Sequence, residues 1–436
     1  MAKTKTTPIF DGAILSRKIK PKDTDANAIS LPIGKAIGPG GVSVARTYKH
    51  AAGKSNTYSP EVVDMIYHMA REGPFSDKHA SQFVAAKLSA ERERPHLSPP
   101  LTWDQLVFLS ANLTRLVIDP YRERCNSQVH VGANRPKPLT LQWPIIFGGF
   151  DLSRLPDTLA RHVVQAAAKA GLAVSLDPHW PIDGPSDVRI LHVNAAKPVP
   201  PIHGVAAVEL DLPMASEMDR HHLAPAVDAV REATDGQVPV GIVAPAFNAR
   251  SVVDQTIELG VDFFVADAQW TQDTRPANSF PELLAAPAIH VLADTVDRLR
   301  HHRCEETVQV IYRGGIRGGA DAGKAICLGA TAVSLGLSAV IGMGFKLSEI
   351  RDEQTLLKQL AGETREPEDV VNHLYNFAKS VNIEVTMLAR ACGKSSVSNM
   401  EPEDMRALTS AVSAATGIPM VGKDLNFRVG TEPADA

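Results

Sequence analysis

Between residues 139 and 345 the chain repeats one texture: a short apolar run, an amphipathic stretch, then another apolar run. The runs fall at 144–147, 172–176, 188–193, 205–210, 238–243, 262–266, 308–312 and 332–335. Apolar runs this short, bounded by polar segments, read as buried strands. Amphipathic segments at 155–171, 223–234 and 252–259 read as helices between them. Strands alternating with helices at roughly 20–30-residue spacing imply parallel βα units. Eight such strands within about 200 residues favour a closed (β/α)8 TIM barrel over an open doubly wound sheet. No helix is legible between the second and third strands, so that unit is expected to be abbreviated.

The flanks read differently. Residues 1–58 hold ten Lys and Arg against three Asp and no Glu, and include the turn signal Gly38-Pro39-Gly40-Gly41. They are expected to form a basic extended arm, either a solvated tail or a dock for an acidic partner. Residues 59–138 are expected to form a helical N-terminal extension. Ser59-Pro60-Glu61 supplies an N-cap with Pro at the first helical position, and Val62, Val63, Ile66 and Met69 share one face. A second helix is expected at 77–92. Trp103-Asp104-Gln105-Leu106 then opens a short helical segment after the break at 95–100. The barrel is expected over 139–345. Residues 346–436 are expected to form a helical C-terminal extension, with helices over 368–379, 383–390 and 401–416, the last stopped by Gly417.

A formal net charge of −4 gives no strong pull toward nucleic acid or an anionic membrane. No segment nears the ~18 uninterrupted apolar residues that a membrane span requires. Cys125, Cys304, Cys327 and Cys392 are too scattered for a disulfide framework or a zinc ribbon. With no secretory signal legible at the start, a reducing cytoplasm is the expected compartment.

The strongest local signal lies at 308–344. An apolar strand ends at Tyr312 and meets Gly314-Gly315, then Gly318-Gly319, with a helix opening near Ala320. The next strand ends in Gly336 and turns into another helix at Leu337. Glycines at such turns let backbone N–H groups approach an anion, because no Cβ blocks them. Each following helix presents its positive end to the same place. In barrels the turns after strands seven and eight together hold phosphate. The plainer alternative is that these glycines only make tight turns.

This segment resembles the FMN-phosphate segment of glutamate synthase large subunits. The residues that carry the likeness are Gly314, Gly315, Ile316, Arg317, Gly319, Ala320, Asp321, Lys324 and Ala325, then Leu328-Gly329-Ala330, Ala332-Val333, Gly336 and Ala339. Asp119-Pro120-Tyr121-Arg122-Glu123-Arg124-Cys125 is similar to the family's entry segment, and residues 388–422 look like the tail of the stand-alone FMN subunit of N-methylglutamate synthase. The likeness runs from about 104 to 422 and is faint in the middle. It implies FMN as cofactor, with Gly314, Gly315, Ile316, Arg317, Gly319, Gly336 and Leu337 holding it. It also implies an oxidoreductase or amino-transferring synthase of amino acid metabolism, working in a heteromeric complex with glutaminase-like and β-helical partner subunits.

The middle of the barrel departs from the family pattern. The Gly/Lys-rich loop expected after strand four is replaced by Asp211-Leu212-Pro213-Met214. The Lys of strand five, expected near the flavin's N1/C2 edge, is replaced by Val243. Asp267 is kept, but Ala268-Gln269-Trp270-Thr271 follows it, and the Ser or Asp before the paired glycines becomes Arg313. The cysteine cluster that holds iron–sulfur in many relatives is missing, so no such cluster is expected. A phosphate site built from backbone amides survives such changes, whereas chemistry on a dicarboxylate substrate is weakened. Arg313 offers compensation, since a guanidinium at a strand end clamps a carboxylate or phosphate at two points.

Asp177, Asp211 and Asp267, with His179, Asn194, Lys197, Asn248, Gln269 and Arg313, sit at predicted strand ends, the active face of a barrel. They form a polar pocket or metal site, or else cap the following helices. Asp267 and Arg313 are the candidate catalytic pair. The pairs His221-His222 and His301-His302 read as solvated surface, and Gly53-Lys54-Ser55 lacks the rest of a phosphate loop. Three functions compete: an FMN-binding synthase subunit, a catalytically degenerate barrel with a structural or regulatory role, and a barrel enzyme using a metal or another phosphorylated ligand.

Overall fold

A computed structural model describes residues 58–74, 102–149, 157–176, 188–211, 220–268, 288–344 and 367–422, except positions 59, 112–116 and 120–122. The expected arm, the helix at 77–92, and Asp177, His179, Gln269 and Gly53-Lys54-Ser55 lie outside the described residues.

Eight parallel strands close into a barrel. They are β4 (Ile145–Phe147), β5 (Ala173–Leu176), β6 (Arg189–Asn194), β7 (Ala207–Asp211), β8 (Val240–Pro245), β9 (Phe263–Asp267), β10 (Gln309–Arg313) and β11 (Ala332–Leu335). Each follows its predecessor around the ring, and β11 closes onto β4 with Val333 beside Ile145 and Leu335 beside Phe147. All eight apolar runs became these strands, with boundaries moved by a residue or two. This is the (β/α)8 barrel that the repeat demanded.

Between the strands lie α2 (Asp157–Ala170), α3 (Arg220–Ala233), α4 (Ala249–Thr256), α5 (His290–His301), α6 (Gly319–Cys327) and α7 (Leu337–Gly342). Helix α2 buries Ala160, Val163, Ala166, Ala167 and Ala170, the 3-4 spacing of one helical face. Small residues on that face let the helix lie close to the strands. Inside the ring, Gly241 on β8 makes room for Phe263 on β9, because a Cβ at Gly241 would land on the Phe263 ring. The two are register partners.

The flanks differ from the expected pattern. Helix α1 (Pro60–Glu72) forms as the Ser-Pro-Glu signal implied. Further on, however, Trp103–Gln105 is a single 3-10 turn that leads into β1 (Leu106–Phe108), and β2 (Val129–Val131) pairs antiparallel with β3 (Leu139–Leu141). The barrel wall therefore starts at Ile145, past the expected boundary at 139. The β2–β3 hairpin closes the N-terminal end of the barrel: Gly132 N–H donates to Gln309 Oε1 at 2.7 Å, and Arg135 Nε donates to Asp262 Oδ1 at 2.7 Å.

At the other end of the chain, the two helices expected over 368–379 and 383–390 are one, α8 (Pro367–Ala391). The polar Ser380 does not break it, since its hydroxyl donates back to Asn376 O at 2.7 Å and Val381 is buried. The helix expected over 401–416 is instead a 3-10 turn at Pro402–Asp404, strand β12 (Met405–Ala407) and α9 (Ser410–Thr416). Met405 and Ala407 are buried while Arg406 is not, a period of two that pairs β12 antiparallel with β1. The Thr409 hydroxyl caps α9, and Gly417 ends it at φ 72°. Among the described residues no helix is long and apolar enough to cross a membrane.

Candidate functional site

Arg313 is the last residue of β10, and its neighbour in register is Asp267, the last residue of β9. The predicted pair therefore stands side by side on the C-terminal rim, with Arg313 Nη1 3.8 Å from Asp267 Oδ2. The stronger partner of Arg313 was not foreseen. Glu209, in the middle of β7, takes hydrogen bonds from Arg313 Nη2 at 2.6 and 2.7 Å. Strands β7 and β10 are not neighbours, so these side chains meet through the barrel interior. Side chains alternate along a strand, so Asp211 and Val243 face the interior as well.

Glu209 is 1% exposed and gathers two further donors: Ser175 Oγ at 2.5 Å and His192 Nδ1 at 2.8 Å. His192 Nε2 lies 3.5 Å from Asp211 Oδ2, and its side chain is 30% exposed. Burial disfavours the Glu209 carboxylate, but the charges of Arg313 and His192 and the bonds from His192 and Ser175 outweigh it, holding the group well below the usual carboxylate range. Burial likewise works against the His192 imidazolium. Its bonds to Asp211 and Glu209 and the Glu209 charge prevail, raising it to about 10. Burial opposes the Arg313 charge too, yet Glu209 and Asp267 keep it firmly protonated. The interior thus brings Arg313 and His192 together with the side chains of Glu209, Asp211 and Asp267. A Glu inside an otherwise apolar strand, Val208-Glu209-Leu210, is itself a signal that the sequence offers.

The expected phosphate residues divide into two groups. Gly314 and Gly315 follow β10 with φ of 123° and 64°, and Gly336 follows β11. Strands β10 and β11 are paired, so the two glycine turns lie side by side on one rim. Gly314, Gly315, Ile316 and Gly336 are buried, and their N–H groups donate to no protein acceptor among the described residues. Buried backbone donors are almost always satisfied, so four together on adjacent turns fit an absent anionic group. Leu337 opens α7 and is buried.

Arg317 and Gly319 are committed elsewhere. All three guanidinium nitrogens of Arg317 bond to Asp321 or Asp104, at 2.6 to 2.9 Å, and its backbone N–H donates to Asp321 Oδ2. The side chain fastens the 3-10 turn before β1 to helix α6, with four of its five guanidinium N–H groups already bonded to these carboxylates. Gly319 N–H donates to Glu384 Oε2 of α8 at 2.7 Å, so a carboxylate from the C-terminal extension occupies the start of α6. Gly319 is glycine for packing: a Cβ would press on Glu384 and on Val381 O at 2.6 Å.

The remaining candidates behave as local structure. Asn194 Oδ1 accepts from Ala196 N–H, and Lys197 is exposed in the same turn. Asn248 stands exposed at the N-cap of α4. His302 Nε2 pairs with Asp254 at 2.7 Å on the surface, stacked edge-on with His301. His221 and His222 lie in the first turn of α3. Among the described residues, no group of three His, Cys, Asp or Glu side chains is placed to hold a metal.

The chain is similar to several known proteins. A family model described as FMN-dependent dehydrogenase matches residues 284–359. A glutamate synthase large subunit-like protein of Rhizobium meliloti (strain 1021) is 25% identical over 435 residues, covering 85% of this chain and 95% of that one. An archaeal-type glutamate synthase [NADPH] of Dehalococcoides mccartyi is 21% identical over 351 residues, covering 67% of this chain and 68% of its own. Among solved structures, a flavocytochrome b2 variant with sulfite bound superposes with a TM-score of 0.47 at 15% identity, covering 77% of this chain and 85% of that one.

Proposed function

Taking the chain as a glutamate-synthase-like (β/α)8 barrel, we propose that it binds flavin mononucleotide and serves as the flavin subunit of an amino-transferring oxidoreductase. The observation that carries this reading is the set of four buried N–H groups, of Gly314, Gly315, Ile316 and Gly336 on two adjacent turns, that no acceptor among the described residues claims. Backbone donors in this arrangement suit a phosphate dianion, which accepts several N–H bonds at once. When bound, the flavin supplies hydride and electron transfer, and the protein supplies position and charge. Glu209 fixes Arg313 and His192, so the polar floor beneath the ligand is rigid. Gly148, just past β4, is glycine for packing between its neighbouring strands, since a Cβ there would lie 2.9 Å from Ser175 Cβ and 3.2 Å from Ser334 Oγ.

The purified protein's visible absorption tests the reading. A flavin band, or uptake of added FMN, is expected. A colourless protein that takes up no FMN overturns it. The resemblance to N-methylglutamate synthase extends the proposal to glutaminase-like and β-helical partner subunits, which copurification from the native source would identify.

Val243 favours a second reading. It faces the interior where a cation would stabilise reduced flavin, and Arg313 is already neutralised by Glu209. Such a barrel holds the cofactor without turning it over. Bound flavin that neither reduced nicotinamide nor an amino acid donor reduces would support this second reading.

A further inference from the structure

We propose that Glu384 is a positioning residue for the phosphate cradle: from α8 it holds the start of α6 and, with Phe377 against α7, sets the gap between the two glycine turns. The inference rests on the phosphate reading above and gives Glu384 no contact with the ligand. Phe377, Val381, Glu384 and Leu388 follow at steps of four, three and four residues, so they share one face of α8. That face meets glycines on both helices of the cradle. A Cβ at Gly342 of α7 would lie 3.3 Å from Phe377 Cδ1. On α6, a Cβ at Gly319 would lie 2.6 Å from Val381 O, and one at Gly323 would lie 3.5 Å from Leu388 Cδ1. With no side chain at these points, α8 lies directly against the two helices that open from the cradle.

A polar bond locks this contact, since Gly319 N–H donates to Glu384 Oε2 at 2.7 Å. Asp321 already serves the turn before α6 locally, by accepting from Arg317 N–H. Glu384 comes from 65 positions away, so its bond ties the turn to α8 instead. Helix α8 is itself anchored, because the Ser380 hydroxyl also reaches Met69 O of α1 at 3.4 Å. Helix α6 opens four residues after Gly315, and α7 opens immediately after Gly336. A shift of either helix therefore carries its turn along. A phosphate that bridges both turns needs N–H donors from each at about 3 Å, and hydrogen bonds weaken steeply away from that geometry. Binding linkage is reciprocal, so a ligand that fixes the two turns must also steady α8.

The test titrates the full chain with FMN, followed by fluorescence, and with inorganic phosphate as competitor. Glu384→Ala is expected to weaken both probes about 2- to 12-fold, up to the worth of one hydrogen bond. Glu384→Gln, which keeps an acceptor for Gly319 N–H, should restore most of the loss. Gly342→Ala, which presses α7 away from Phe377, should also weaken both probes, and it carries the test if Glu384→Ala does not fold. In the wild type, saturating phosphate should slow amide exchange over 377–388 more than over α3, which follows β7 across the ring. Variants that melt lower but keep wild-type affinity for both probes would make Glu384 a purely structural residue and overturn the proposal. Tighter phosphate binding by Glu384→Ala, or equal slowing in α8 and α3, would overturn it too, leaving the cofactor assignment intact. A wild-type chain that takes neither FMN nor phosphate would bring down both readings.

Discussion

The Glu209 carboxylate holds the Arg313 guanidinium across the barrel by two hydrogen bonds, 2.6 and 2.7 Å, between strands separated by two others. This cross-barrel tie stiffens the interior and gives its two cations a shared counter-ion. Removing one partner of a buried pair leaves the other charge uncompensated. Glu209→Gln, which keeps the shape, is therefore expected to lower the unfolding free energy by about 3–5 kcal/mol, read by urea denaturation. A loss within about 0.5 kcal/mol, typical of exposed sites, would mean that the network is solvated.

The same network sets a pH dependence. His192 titrates at about 10 in the fold against 6.5 ordinarily, so its contribution is complete below about pH 6.5 and is lost as pH rises through about 10. Glu209 runs the other way: its contribution is present above the ordinary carboxylate range and is lost only as pH falls toward its much lower folded value. The melting temperature should fall between pH 7 and 10, and His192→Gln should flatten that fall. A parallel decline in wild type and variant would assign it to other groups.

Arg317 separates stability from ligand binding. Since four of its five guanidinium N–H groups go to Asp321 and Asp104, Arg317→Lys should lose about 1.5–3 kcal/mol, the worth of a charged hydrogen bond. Its FMN affinity should match the wild type. A variant of unchanged stability but weaker FMN binding would return Arg317 to the phosphate site.

Gly336 is the cleaner probe of the cradle. Gly315 has φ 64°, where any side chain is strained, whereas Gly336 has φ −87°. Gly336→Val should fill the space above the amides and weaken FMN by about tenfold or more, equivalent to 1.4 kcal/mol, in a fluorescence titration. Retention of full affinity would remove Gly336 from the site.

Gly241 tests barrel packing away from the ligand. A methyl at Gly241 would land on the Phe263 ring inside a close-packed layer, so Gly241→Ala should destabilise by about 1–3 kcal/mol, visible in a thermal melt. A neutral outcome would mean that the Phe263 ring moves aside easily.

Local patterns were legible wherever a rule of local geometry governs them. The eight apolar runs dictated eight strands, and Gly314-Gly315 after Arg313 and Gly336 after Leu335 marked the turns that stand side by side. The helix expected over 401–416 failed because Met405 and Ala407 answer to β1, a partner remote in sequence, and pairing overrode local helix signals. Arg317 and Gly319 carried the look of a phosphate segment, but Asp104 and Glu384, distant in the chain, took their donors.

The sequence by itself determined the barrel, because strand period, strand count and turn chemistry are properties of neighbouring residues. Only the tertiary structure decided that Glu209 would meet Arg313, 104 positions away, and that Glu384 would close the start of α6. Alternation says which side chains point inward. Which of them touch depends on how the closed ring staggers its strands, and no local pattern encodes that.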